Sequence, residues 1–150
     1  MTIVCPECGA QLDDDATCQS IFDNFLALDF SDPAYGEVHF LTVACYMIQH
    51  NRYSDEALLW IRPQLHAFLA EGVNPAEIRR RAAVETGNGQ RDWKVVRSPQ
   101  ARLLPKVLWQ ITIVDVAVHA ANAASYREWV RRWGESTLKQ MDVLVNGQIL

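Results

Sequence analysis

A mainly α fold is what this sequence predicts: a single helical-bundle-like domain over residues 1–150, opened by an irregular cysteine knuckle. Three observations predict it. Apolar residues recur at helical spacing in window after window beyond residue 17. Capping and stop residues stand where those stripes begin and end. The motif Cys5-Pro6-Glu7-Cys8-Gly9 precedes every periodic stretch, so the first 17 residues form a segment expected to pack on helices over 18–50.

The knuckle comes first. Two cysteines two residues apart, with Pro6 and Gly9 shaping the turn, aim both sulfurs into its concave side. Such a knuckle supplies two of the four ligands a zinc ion takes. Cys18 is the natural third, at the start of the first helix, where the helix dipole favours a thiolate. For the fourth, His39 is preferred. His39 and His50 lie eleven residues apart on one expected helix, about 16 Å along its axis, so they cannot share an ion. Cys45 lies about 240° around from His39, toward the core. The expected metal set is therefore Cys5, Cys8, Cys18 and His39 with Zn²⁺, and iron is the other metal such ligands accept. Free thiols in a loose N-terminus, a redox dithiol and a disulfide are the competing readings of the cysteines. For His50 a helix-terminal capping role competes with ligation, and His66 and His119 read as structural.

Segments 18–30 and 33–50 carry the next two stripes. Ile21, Phe22, Phe25, Leu26 and Phe30 mark the first, and Phe40, Leu41, Ala44, Met47 and Ile48 the second; Asp32 and Pro33 divide them. Asp13-Asp14-Asp15 lacks the spacing of a calcium loop and reads as a solvated turn. Ser54-Asp55-Glu56 caps a helix over 55–71 in which Leu58, Leu59, Leu65, Phe68 and Leu69 face inward and which Gly72 closes. Asn74-Pro75 opens a short one carrying Ile78 and Arg79-Arg80-Arg81. Residues 86–105 are the least regular: Thr86 to Gln90 is a turn, and Trp93, Val95 and Val96 suggest a short extended piece. Residues 106–121 fit strand alternation and helical spacing alike, and length favours helix. Asn122 caps a last helix over 123–145, with Tyr126, Trp129, Val130, Trp133, Met141, Leu144 and Val145 on one side and Gly147 at its end.

Composition bounds the function. An apolar share of 49% is ample for a core, so a metal would fasten a segment and need not hold up the whole fold. No apolar run approaches the roughly 20 residues of a membrane span. With no secretory signal, the expected compartment is the cytoplasm, where thiols stay reduced. The net charge of −4 hides an asymmetry. Residues 1–51 hold eight acidic side chains and no Lys or Arg, and the basic residues gather later, densest from Arg91 to Lys106. A zinc module gripping nucleic acid needs cations beside it, so nucleic-acid reading by this knuckle is disfavoured.

These residues resemble an uncharacterised bacterial family, domain-of-unknown-function family 5946. The likeness rests on Cys5-Pro6-Glu7-Cys8-Gly9, on Cys18 before an aromatic-rich helix, and on His39-Phe40-Leu41-Thr42-Val43 continuing to Tyr46 and Gln49-His50. It extends through Trp93, Asp115-Val116 and Trp129 to Trp133. The family often has proline after the second histidine, where Asn51 stands here. The resemblance implies one helical domain with a cysteine knuckle.

Two functions of different class follow. One is a zinc-stabilised helical protein that binds a protein or small-molecule partner or acts as a regulator, its site closed by four protein ligands. The other is a metal-dependent enzyme acting on a small molecule through an open Cys/His site, with His50, His119 or an aspartate as base. A third, nucleic-acid binding through Arg79 to Lys106, meets the charge objection.

Overall fold

The computed structural model describes residues 2–13, 15–84 and 93–149, with the backbone alone for 146–149. Asp14 and the Thr86–Gln90 turn lie outside the described residues. The fold is helical apart from a two-stranded antiparallel ribbon, β1 (Ile3–Val4) paired with β2 (Gln11–Leu12). Helices α1 (Cys18–Ser31), α2 (Pro33–Gly36), α3 (His39–Gln49), α4 (Asp55–Ala70) and α5 (Pro75–Ala82) follow. Then come α6 (Ile113–His119), α7 (Ala123–Gln140) and α8 (Asp142–Ile149).

The caps set the boundaries. Thr17 closes a capping box with Ser20, and Asp32 accepts from the Ala34 amide ahead of Pro33. Ser54, Asn74 and Asn122 each accept a backbone N–H three residues on. Gly72 adopts φ +69° just beyond α4, and Asn51 leaves α3 at φ +57°. A proline, locked near −65°, could not make that exit turn.

Helix α3 is the centre. Leu41, Thr42, Ala44, Cys45, Tyr46, Ile48 and Gln49 are all buried on it, and α7, α1 and α4 pack around it. Trp133, Tyr126 and Val130 of α7 are fully buried against it, with Met141, Leu144 and Val145 continuing the core. Cys5, Cys8, Ala10, Leu12 and Cys18 belong to the same buried cluster, so the N-terminal segment is part of the core.

Several expectations change. The stretch over 33–50 is broken at 37–38 into α2 and α3. Phe30 and Leu59, placed inward by periodicity, are exposed. The helix expected over 106–121 exists only from Ile113, where Thr112 and Asp115 form a capping box. Upstream, side-chain amides serve the backbone: Gln49 Nε2 donates to the Ile111 carbonyl, Gln140 Nε2 to the Leu108 carbonyl, and the Gln110 amide to Gln140 Oε1. These three backbone groups are thus met by side chains from elsewhere in the fold and not by helical bonds. The last helix divides at Met141 into α7 and α8, and Gly147 lies within α8 instead of ending it. The short extended piece is present as a bridge between Val96 and Tyr53.

Candidate metal centre

The site lies at the end of the bundle where α1 begins and α3 ends. Sequence dictates the knuckle locally. The Cys5 amide donates to the Ala10 carbonyl at 2.8 Å and the Gly9 amide to the Cys5 carbonyl at 3.0 Å, which folds residues 5–10 into a tight loop. Gly9 takes φ +82°, the left-handed region that glycine enters without strain. Two ties hold the loop down from outside. Arg52 grips Glu7 with two bonds of 2.7 and 3.2 Å, and Lys106 Nζ donates to the Pro6 carbonyl at 2.8 Å.

Helix α1 then presents Cys18 as its first residue. The Cys8 and Cys18 sulfurs stand 3.7 Å apart. Two sulfurs each about 2.3 Å from a tetrahedral zinc would be separated by about 3.8 Å, so this pair sits at ligand spacing. His50, directly after α3, completes the group: one ligand atom each from Cys5, Cys8, Cys18 and His50 lies within 4.8 Å of every other, and all four residues are buried. His50 Nδ1 lies 2.8 Å from the Tyr46 carbonyl, so it carries the proton and donates there. That leaves Nε2 with a lone pair, buried and without a hydrogen-bond partner among the described residues. A buried, unpartnered imidazole nitrogen beside three thiols, its other nitrogen fixed by a carbonyl, is the chemistry of a metal-binding histidine. The ring stacks on Tyr46, which stacks on Phe22.

Burial and proximity set the thiol chemistry. Cys8 is held well below the usual thiol range, chiefly by the hydrogen bond from Cys18, against desolvation and with help from the Ala10 backbone. Cys18 is pushed up for the reciprocal reason, since it keeps the proton that stabilises the Cys8 thiolate. Cys45 takes no part: burial pushes its thiol up to about 12, and it sits in the core as periodicity predicted.

The structure therefore brings together Cys5, Cys8 and Cys18 of the expected set and places His50, not His39, beside them. The reason is the topology. A short connection makes α1 and α3 antiparallel, so the first residue of α1 meets the end of α3. Gln19 bonds Tyr46 there, while Asp29, near the other end of α1, meets His39 at the start of α3. His39 lies at the far end of its helix, with Nδ1 3.0 Å from the buried Asp29 carboxylate. The sequence showed only the Asp32-Pro33 break between the two stripes; that the start of α1 meets the end of α3 is a tertiary contact. His66 is exposed near Glu71, and His119 stacks on Trp129 at 3.8 Å.

Fold and site together define a class: a helical protein with a buried group of three cysteines and one histidine that could hold a metal ion. The chain belongs to a family of unknown function (DUF5946), whose model matches residues 3–142. No curated protein and no solved structure matches it. Among the described residues no helix is long and apolar enough to cross a membrane.

Proposed function

We propose that Cys5, Cys8, Cys18 and His50 hold one structural Zn²⁺, and that the protein is a zinc-stapled helical module that binds a partner in a regulatory role. The observation that carries this reading is the buried His50 Nε2 beside three thiols. Four protein donors fill a tetrahedral shell and leave no coordination place for substrate, which favours a staple over a metal-dependent enzyme. Zinc is the natural ion for a mixed thiolate–imidazole set, and the reducing cytoplasm suits it. When bound, the ion would supply charge that keeps the thiols ionised and would lock the knuckle to the junction of α1 and α3.

A partner surface has support at the same end. Leu103 and Leu108 are 95% and 84% exposed, and Lys106 between them is tied to the knuckle through Pro6. Losing the ion would loosen that surface, and this is how metal binding would serve a regulatory role. Elemental analysis of purified protein tests the central claim: about one zinc per chain supports it, and none from a reducing, chelator-free preparation refutes it.

A further inference from the structure

At the opposite end of α3 lies a second feature, separate from the thiol group. A cleft of about 250 Å³ opens between α3, α4 and α5, just below the roughly 300–1,000 Å³ of ordinary small-molecule sites. Its walls are mainly apolar, with Phe40, Val43, Trp60, Ile61 and Ile78 among them, and the polar side chains of charged type that reach it are His39 and Arg79. Among the described residues, no cysteine, Asp or Glu lines it.

His39 is held there by a buried relay. Thr42 Oγ1 lies 3.2 Å from the Tyr126 hydroxyl, which donates to Asp29 Oδ1 at 2.8 Å, and Asp29 Oδ2 lies 3.0 Å from His39 Nδ1. The Asp29 side chain is fully buried, whereas that of His39 is 36% exposed. A buried carboxylate is costly and persists because each oxygen has a partner. Here it accepts from Nδ1, which fixes the His39 ring where it lines the cleft. Arg79 is exposed, and no ion pair to it occurs among the described residues; the neighbouring Glu77 is taken by Arg80 and Arg81. An apolar cleft whose charged member is one guanidinium, with no acid lining it among the described residues, complements an anion carrying an apolar body.

We propose that this cleft binds a small carboxylic acid with an apolar, ring-bearing body, its carboxylate on Arg79 and its body between α3, α4 and α5, beside the His39 ring. The site does not depend on the metal reading, since it shares no residue with the thiol group.

The test is a titration of the full-length chain with phenylacetate and with uncharged phenylacetamide, followed by amide chemical shifts. Saturable shifts centred on the cleft are expected for the acid, with the amide at least about tenfold weaker. Arg79→Ala changes an exposed side chain and should weaken acid binding about tenfold with helicity intact. Val43→Phe, which fills the cleft, should abolish binding of both probes. Equal affinity for acid and amide, wild-type affinity in Arg79→Ala, or no saturable shift up to about 10 mM, ten times a millimolar Kd, overturns the proposal.

Discussion

Replacing His50 and His39 separately by alanine separates the two ends of α3. Binding to the folded state alone stabilises by about 4.1 kcal/mol when free ligand exceeds Kd about a thousandfold. A domain of this size shifts by roughly 2–4 °C per kcal/mol, so the metal term amounts to roughly 8–16 °C in Tm. His50→Ala should lose that term together with the zinc, and a further amount because a fully buried ring stacked on Tyr46 is removed. Chelator added to the wild type isolates the metal term from the cavity term and needs no variant to fold. His39→Ala strips one partner from the Asp29 carboxylate, a cost of about 1–3 kcal/mol, yet should keep one zinc per chain. Metal content per folded chain, measured beside thermal melts, is therefore the deciding readout. Full zinc occupancy in His50→Ala, or its loss in His39→Ala, would refute the assignment.

Other outcomes follow from single contacts. Gly9→Ala meets no atom within 4 Å but must hold φ +82°, so it should cost about 1–2 kcal/mol in a denaturant titration and keep its zinc. Gly36→Ala would put a Cβ 2.6 Å from the Asp29 carbonyl oxygen, and backbone cannot swing aside; a loss of about 1–3 kcal/mol is expected in the same assay. Leu41→Ala, at a fully buried site in the centre of α3, should cost about 2–5 kcal/mol. Asp55 is lowered from its ordinary 3.8 because the guanidinium groups of Arg102 and Arg97 outweigh the opposing effect of burial. A lowered carboxyl stabilises the fold above its unfolded value and loses that contribution as pH falls through the folded one. Thermal melts across that acid range should therefore drop more steeply for the wild type than for Asp55→Asn.

Much of the fold was legible because its signals are local. Ser54, Asn74 and Asn122 cap helices within one turn of themselves, and Asp32-Pro33 stops one helix and starts another. Such effects act over three or four residues, the range a sequence displays directly. The knuckle was legible for the same reason, its shape set by Pro6, Gly9 and the spacing of Cys5 and Cys8. Residues 108–111 were not, because the Leu108 and Ile111 carbonyls and the Gln110 amide are met by Gln49 and Gln140, far away in the chain.

By itself, then, the sequence determined a helical chain with a cysteine knuckle and Cys18 at a helix start, since each follows from neighbours in the chain. Tertiary structure decided which histidine joins the thiols. His39 and His50 share one helix and similar chemistry, and the antiparallel packing of α1 on α3 brings only His50 to the cysteines while setting His39 on Asp29 beside a cleft. Which histidine stands beside the thiols is a matter of which helix ends meet, and that is fixed by packing across the bundle and not by any property of either residue.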